Sequence, residues 1–210
     1  DGFVPEAMVN YLARLGWSHG DSEVFSTQQL IEWFDLGHVS RSAAQFDPGK
    51  LTWLNQHYIK ASGDARLAAL VEPQLRALGA QLDRGPALEP VVALFKDRAT
   101  TINHLAEAAM LFYGEHAPAP GLVAEHLTEL VLPALRMLKA RLSGCSWDRP
   151  AISAAVKQVL AANGLKMPQL AMPLRVLLTG RTQTPSIDAT LELLGRETVL
   201  ARLSHHLDID

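Results

Sequence analysis

The chain has 210 residues, 48% hydrophobic and 20% charged, a composition typical of a globular protein with one large domain or two smaller ones. Its single cysteine, Cys145, excludes an internal disulfide and a zinc site built from cysteines alone. No apolar run approaches the roughly 20 residues that span a bilayer, and no signal peptide is recognisable. We therefore expect a cytoplasmic protein without a membrane segment.

The net charge of −3 is unevenly distributed along the chain. Residues 136–202 contain ten lysines and arginines against four acids, and residues 149–187 contain five basic residues and no acid. This asymmetry predicts an anionic partner for the C-terminal third. A chance fluctuation on a solvated helical surface accounts for the composition equally well.

Apolar residues recur with helical spacing along almost the whole chain. A first helix over residues 5–15 begins at a proline and is stopped by Gly16. Ser26 and Asp47 are predicted N-caps of the next two helices, the second with Pro48 in its first turn. The apolar face predicted for the first helix consists of Met8, Val9, Leu12 and Leu15. The stripe predicted for the third consists of Leu51, Leu54, Tyr58 and, as a further candidate, Trp53.

The middle of the chain predicts further helices over residues 86–98 and 100–112. The two prolines in residues 114–121 predict a turn or linker. A long helix then extends to about Leu142, and Pro133 is expected to kink or split it.

The last third predicts a helix capped by Asp148 and closed by a left-handed Gly164. The segment 165–178 follows, and its two prolines, Pro168 and Pro173, are expected to interrupt it. Two short helices close the chain. Because no strand alternation is found, the sequence predicts an all-α fold with boundaries near Ser62 and Ser146.

The sequence contains none of the common motifs that would indicate an active site within this chain. There is no nucleotide-binding glycine-rich loop, no HExxH and no GxSxG. The eight histidines are scattered without useful ligand spacing. We therefore predict no catalytic residue, no metal site and no cofactor in this chain.

Two groups of motifs near the ends of the chain resemble glutamyl-tRNA synthetases of bacteria. The first group is GFVPEAMVNYLARLGWS at residues 2–18, followed by FDPGKL at residues 46–51 with WLN at residues 53–55. The second is PLR at residues 173–175 with LTG at residues 178–180, and closing helices with LLG at residues 193–195. The first run is highly specific, whereas the middle of the chain carries little that is diagnostic.

The resemblance implies the part of such a synthetase that binds tRNA, without its catalytic domain. Neither the HIGH-type nor the KMSKS-type motif is present, and the resemblance places both before Asp1. It implies a helical stem-contact segment at residues 1–61 and a multi-helical anticodon-binding cage in two subdomains, residues 62–145 and 146–210. The partners implied are tRNA(Glu) and the catalytic domain of the same polypeptide, in a monomer. ATP and magnesium are expected only for the full-length parent.

Candidate tRNA contacts lie in the basic C-terminal third. Unpaired bases are read by hydrogen bonds on their edges and by stacking, while cations neutralise phosphates. Arg175 is the foremost candidate, on the resemblance of its motif. An irregular backbone around Pro168 and Pro173 is expected to leave backbone groups free for base edges. The other candidates are Lys166, Gln169, Arg181, Thr179, Arg149, Lys157 and Trp147.

Structural roles stay open for these side chains. Arg175 can instead cap or pair within the cage, and Trp147 can pack at a domain junction. Asn10 and Tyr11 can hold the stem-contact segment together or contact tRNA. A different class of function is a helical protein–protein interaction module whose basic surface binds an acidic partner.

Overall fold

The computed structural model describes residues 1–40, 43–114 and 116–208, and its regular structure there is helical, with a single isolated bridge between Trp17 and Val39. The predicted all-α class is confirmed. None of the helices described is long and apolar enough to cross a membrane. The α-helices are α1 Pro5–Gly16, α2 Thr27–Trp33, α3 Pro48–Ala61, α4 Asp64–Ala77, α5 Leu88–Phe95, α6 Ile102–Tyr113, α7 Pro120–His126, α8 Leu132–Gly144, α9 Arg149–Asn163, α10 Met167–Thr179, α11 Ile187–Leu194 and α12 Arg196–Leu207.

The chain divides into two compact units that interleave in sequence. Unit 1 comprises Asp1–Ala80 and Phe95–Met110, and unit 2 comprises Gln81–Leu94 and Leu111–Asp210. The three-part division predicted from the resemblance stays a prediction. Its two boundaries fall between consecutive helices, α3 and α4 in the first case and α8 and α9 in the second.

Most predicted helix ends match the structure. Ser26, Asp47 and Asp148 each accept a hydrogen bond from a backbone N–H of the first turn. Gly164 closes α9 with φ of 63°, a left-handed conformation that costs glycine little. The long helix predicted around Pro133 is split into α7 and α8, with that proline in the first turn of α8.

The apolar face predicted for α1 is wrong. Val9 is 41% exposed and Leu12 55%, whereas α1 buries Ala7, Asn10 and Tyr11 against α3 and the loop after α1. The two polar members are buried because hydrogen bonds satisfy them. The exposed Trp53 of α3 is a second correction, since it lies outside the core.

Asn10 holds the loop that follows α1, and Tyr11 holds the N-cap of α3. The Asn10 amide donates to the Glu23 carbonyl and accepts from the Phe25 backbone N–H. The Tyr11 hydroxyl accepts from the Asp47 N–H at 2.6 Å. Both side chains are therefore used to hold unit 1 together.

Asn55 links three segments of unit 1. Its side chain is completely buried, its Oδ1 accepts from the Val4 N–H at 2.8 Å, and its Nδ2 donates to the Thr100 carbonyl at 2.6 Å. Close by, the Ile102 N–H donates to the Gly2 carbonyl at 2.9 Å. One amide of α3 thus joins the start of the chain to the segment that precedes α6.

Unit 2 is built around α10, which contacts α7, α8, α11 and α12. The interruption predicted for this segment is wrong, because α10 is continuous through Pro173. Pro168 lies in the first turn, where its missing N–H needs no partner, and burial of Pro173 in the packed interior outweighs the roughly 3 kcal/mol cost of an interior proline. Its buried residues are Leu170, Ala171, Pro173, Leu174, Val176, Leu177 and Leu178.

We predict that Asn55→Ala destabilises unit 1. The change leaves the buried Val4 N–H and the partly buried Thr100 carbonyl without partners, and a buried group left unpaired costs about 1–3 kcal/mol. Urea unfolding should therefore show a loss of about 2 kcal/mol or more. The matched control is Gln56→Ala, whose half-buried amide makes one long bond, at 3.3 Å. A loss no larger than that of the control would contradict the role of Asn55.

Candidate nucleic-acid interface

Three of the candidates, Arg175, Thr179 and Arg181, lie near the end of α10. Gly180 closes α10 in the left-handed region, with φ of 68°, and turns the chain back along the helix end. This turn places Thr184 against Arg175 of the last helical turns. We call Arg175, Thr179, Arg181 and Thr184 the α10 end cluster.

Arg175 is held at one edge of its guanidinium and free at the other. Its Nε donates to the Thr184 hydroxyl at 3.0 Å, and that hydroxyl donates to the Pro185 carbonyl. Within the described residues, the two terminal nitrogens of the half-buried Arg175 have no hydrogen-bond or ion-pair partner. A guanidinium oriented in this way presents planar donors that fit a base edge or a phosphate.

Thr179 and Arg181 complete the turn in different ways. The Thr179 hydroxyl donates to the Arg175 carbonyl at 2.7 Å and accepts from the Arg181 N–H at 3.3 Å. It therefore shapes the turn. The Arg181 side chain is exposed, so its charge is available to a phosphate.

The sequence analysis missed Arg202, which stabilises the same helix end. This half-buried arginine of α12 donates to the Leu178 carbonyl, one of the last carbonyls of α10. A cation there also opposes the partial negative charge of a helix C-terminus. No local signal predicts this contact, because the two residues lie far apart in sequence.

Lys166 and Gln169 lie at the opposite end of α10. The Gln169 Oε1 accepts from the Lys166 backbone N–H at 2.7 Å, so this amide oxygen is used at the helix N-terminus. Both side chains are exposed. Since a helix rises 1.5 Å per residue, the axial separation from Arg175 of the α10 end cluster is about 9 Å for Gln169 and about 14 Å for Lys166.

Arg149 and Trp147 are tied to α11. The Arg149 side chain donates to the Asp188 carboxylate at 3.0 Å and to the Ser186 hydroxyl at 2.9 Å, while its backbone N–H donates to the Glu192 carboxylate. The Trp147 indole N–H donates to the Glu192 carbonyl at 3.2 Å, and the Arg196 guanidinium lies 5.5 Å from the ring centre. Both candidates therefore have structural partners.

Residues 149–187 contain no acidic residue, but two acidic residues from just beyond this stretch contact it. The carboxylates of Asp188 and Glu192 accept hydrogen bonds from Arg149. Lys157, in contrast, is exposed on α9 and has no acidic partner among the described residues. Fewer basic side chains are therefore free to bind an anion than the number of basic residues in this stretch of the sequence.

Comparisons with known proteins agree with the predicted resemblance. A family model described as an anticodon binding domain matches residues 66–207. A second, for the catalytic domain of class I tRNA synthetases (E and Q), matches residues 1–53.

Curated relatives are named glutamate–tRNA ligase. The one from Thiobacillus denitrificans is 62% identical over 97% of this chain and 43% of its own length. The one from Herminiimonas arsenicoxydans is 57% identical over 98% of this chain and 44% of its own length. The chain thus spans less than half the length of these relatives.

A solved glutamate tRNA ligase from Elizabethkingia meningosepticum shares the fold. Its TM-score is 0.83 at 24% identity, over 99% of this chain and 41% of that one. A structure from Elizabethkingia anophelis gives a TM-score of 0.79 over the same shares. At this identity the likeness concerns the fold alone.

We predict that the Arg149–Asp188 pair stabilises unit 2 only above acidic pH. Partial burial raises the pKa of Asp188, but hydrogen bonds from Ser186 and Arg149 outweigh it, so this pKa is lowered. A lowered carboxyl pKa stabilises the folded state at neutral pH, and this contribution is lost as the pH falls through the folded-state value. Because Arg149 is half exposed, the ion pair contributes at most about 1 kcal/mol to the free energy of unfolding.

Unfolding of Asp188→Asn against wild type from pH 7 to pH 3 tests this. The wild type should be more stable at pH 7, and the difference should shrink as the pH falls towards 3. The control Glu197→Gln removes one negative charge from an exposed side chain of α12. A difference that is constant with pH would contradict a contribution from the ion pair.

Proposed function

Because the chain belongs to the anticodon binding domain family through residues 66–207, we propose that it recognises tRNA(Glu) as part of a glutamyl-tRNA synthetase. The relatives named glutamate–tRNA ligase support this assignment. The whole enzyme, a cytoplasmic monomer, attaches glutamate to tRNA(Glu) with ATP and magnesium, through a catalytic domain in the same polypeptide. This chain contributes orientation and specificity, which act by positioning.

The free edge of Arg175 is the observation that carries the proposal. Thr184 orients the guanidinium through Nε and leaves both terminal nitrogens for a ligand. Base edges are recognised by hydrogen bonds of this kind, and single-stranded loops expose those edges. Arg175 therefore reads one anticodon base, and Thr184 keeps it in position.

The remaining candidates differ in which of their atoms are still available to contact tRNA. Arg181, Lys157 and Lys166 have exposed cationic ends and contact phosphates. Gln169 still has amide N–H groups to donate, because only its oxygen is used.

Three candidates carry structural bonds that limit their part in tRNA binding. Thr179 acts by shaping the turn that positions Arg175. Arg149 and Trp147 contact tRNA from the start of α9 with the atoms that α11 leaves free.

We predict that this chain binds a tRNA(Glu) transcript in a salt-dependent way and discriminates against a changed anticodon. For each phosphate that the chain neutralises, the logarithm of the association constant should fall by about 0.7 to 0.9 for each tenfold rise in salt concentration. Filter binding at two salt concentrations measures both effects. Absence of tRNA binding by the folded chain would contradict the proposal and favour a protein–protein interaction module, whose apolar interface would depend less on salt.

We predict further that Arg175→Gln weakens binding and blunts discrimination at one anticodon base. Loss of one bidentate contact costs about 1–3 kcal/mol for the cognate transcript and relaxes selection at that position. The control Arg141→Gln removes an equal charge from an exposed arginine of α8 that donates to the Gln158 side chain. Equal weakening for all transcripts would make Arg175 a phosphate contact, and no weakening would make it structural.

A further inference from the structure

Helix α12 carries two half-buried arginines, Arg196 and Arg202, and each of them binds the backbone at the C-terminal end of another helix. Arg196 donates to the carbonyls of Ser143 and Cys145, where α8 ends. Arg202 donates to the carbonyl of Leu178, in the last turn of α10. One helix therefore holds the ends of two others, and the second of these ends belongs to the α10 end cluster.

The last turn of α10 depends on bonds from outside the helix. The final carbonyls of any helix lack intrahelical partners, and for this reason helix ends fray. In α10 the Val176 carbonyl accepts from the Gly180 N–H at 2.9 Å, and the Leu178 carbonyl accepts from Arg202. A charged donor makes a hydrogen bond roughly twice as strong as a neutral one, and a cation at this end also opposes the helix dipole. Arg202 thus favours the closed form of this turn.

The direction in which the chain leaves α10 decides where Thr184 lies. The chain turns at Gly180, whose φ is 68°, and Thr184 then accepts a hydrogen bond from the Arg175 Nε at 3.0 Å. If the last helical turn opened, the segment after it would leave in another direction. Thr184 would then move away, and the Arg175 guanidinium would lose the bond that orients it.

Arg202 approaches this turn from a helix that packing holds in place. Helix α12 contacts α8, α10 and α11, and it buries Val199 and Leu203, which precede and follow Arg202 in sequence. The α12 backbone at Arg202 is therefore fixed, and the bond to the Leu178 carbonyl transmits that fixed position to the end of α10.

We propose that Arg202 is a positioning residue for anticodon recognition. By bonding the Leu178 carbonyl it keeps the last turn of α10 closed, and in this way it keeps Thr184 where that residue orients Arg175. The inference rests on the function proposed above, because it concerns how selectively Arg175 reads a base. Loss of Arg202 lowers this selectivity in a chain that is still folded, whereas loss of Arg196, at the end of α8, does not.

Four variants separate positioning from a general contribution to stability. Arg202→Met removes the charge and the donors but keeps an unbranched side chain, and Arg202→Lys keeps a charge and a donor. Arg196→Met is the matched control, since it makes the same change on the same helix at the end of α8. Arg202→Gln, a milder change, replaces Arg202→Met if that variant does not fold. Circular dichroism and thermal unfolding establish that each chain is folded at the assay temperature.

The first measurement is the ratio of two affinities, for the tRNA(Glu) transcript and for a transcript changed at the base whose selection Arg175→Gln blunts. Arg202→Met should lower this ratio about fivefold or more, which is the lower end of what one base contact contributes. Arg202→Lys should restore most of it, and Arg196→Met should leave it as in the wild type. In the Arg175→Gln background, Arg202→Met should lower the ratio no further, because both changes act through one contact.

The second measurement needs no tRNA. The Arg175 Nε–H donates to Thr184, so its proton should exchange slowly with water. NMR detects this group, and the absence of its resonance in Arg175→Gln identifies it. We expect faster exchange in Arg202→Met and an unchanged rate in Arg196→Met.

Equal weakening for both transcripts in Arg202→Met, with an unchanged ratio, would overturn the inference and leave Arg202 as a phosphate contact or a stabiliser of the fold. A further fall of the ratio in the Arg175→Gln background would overturn it as well. Failure of the wild type to bind tRNA at all contradicts the proposed function instead. The exchange rate then decides alone, and a rate in Arg202→Met equal to that of the wild type refutes the positioning role.

Discussion

Burial of α10 is the constraint on which unit 2 depends. Seven of its thirteen residues are buried, against α7, α8, α11 and α12. Each fully buried aliphatic side chain contributes about 1.5–3 kcal/mol relative to exposure, which is enough to keep the helix continuous through Pro173. Because the helix cannot shift along these contacts, its end and the Gly180 turn are held at one place. The orientation of Arg175 by Thr184 follows from that rigidity.

Unit 1 is held together in a different way, by buried amides that replace part of an apolar stripe. Asn10 and Asn55 are almost fully buried, and each joins segments far apart in sequence. Hydrogen bonds are directional, so these residues determine which segments meet as well as how tightly. For this reason α1 turns Asn10 and Tyr11 inward while Val9 remains exposed.

Electrostatics in unit 2 is decided by which arginines have partners. Arg149 is paired with Asp188, and Arg202 caps α10, whereas Arg175 keeps both terminal nitrogens free among the described residues. A donor without a partner binds a ligand without first breaking an existing hydrogen bond. An unpaired arginine therefore contributes more to ligand affinity than a paired one. The basic character of residues 149–187 is thus only partly available to an anion.

Sequence alone determined the all-α class, the caps at Ser26, Asp47 and Asp148, the left-handed Gly164 and the break before Pro133, because each rests on neighbouring residues. The resemblance of the terminal motifs was likewise present in the sequence and is matched by the relatives. Only the tertiary structure decided the buried face of α1, the continuity of α10, the pairing of Arg149 and the capping by Arg202. These depend on packing and hydrogen bonds between residues distant in sequence, which local spacing does not encode.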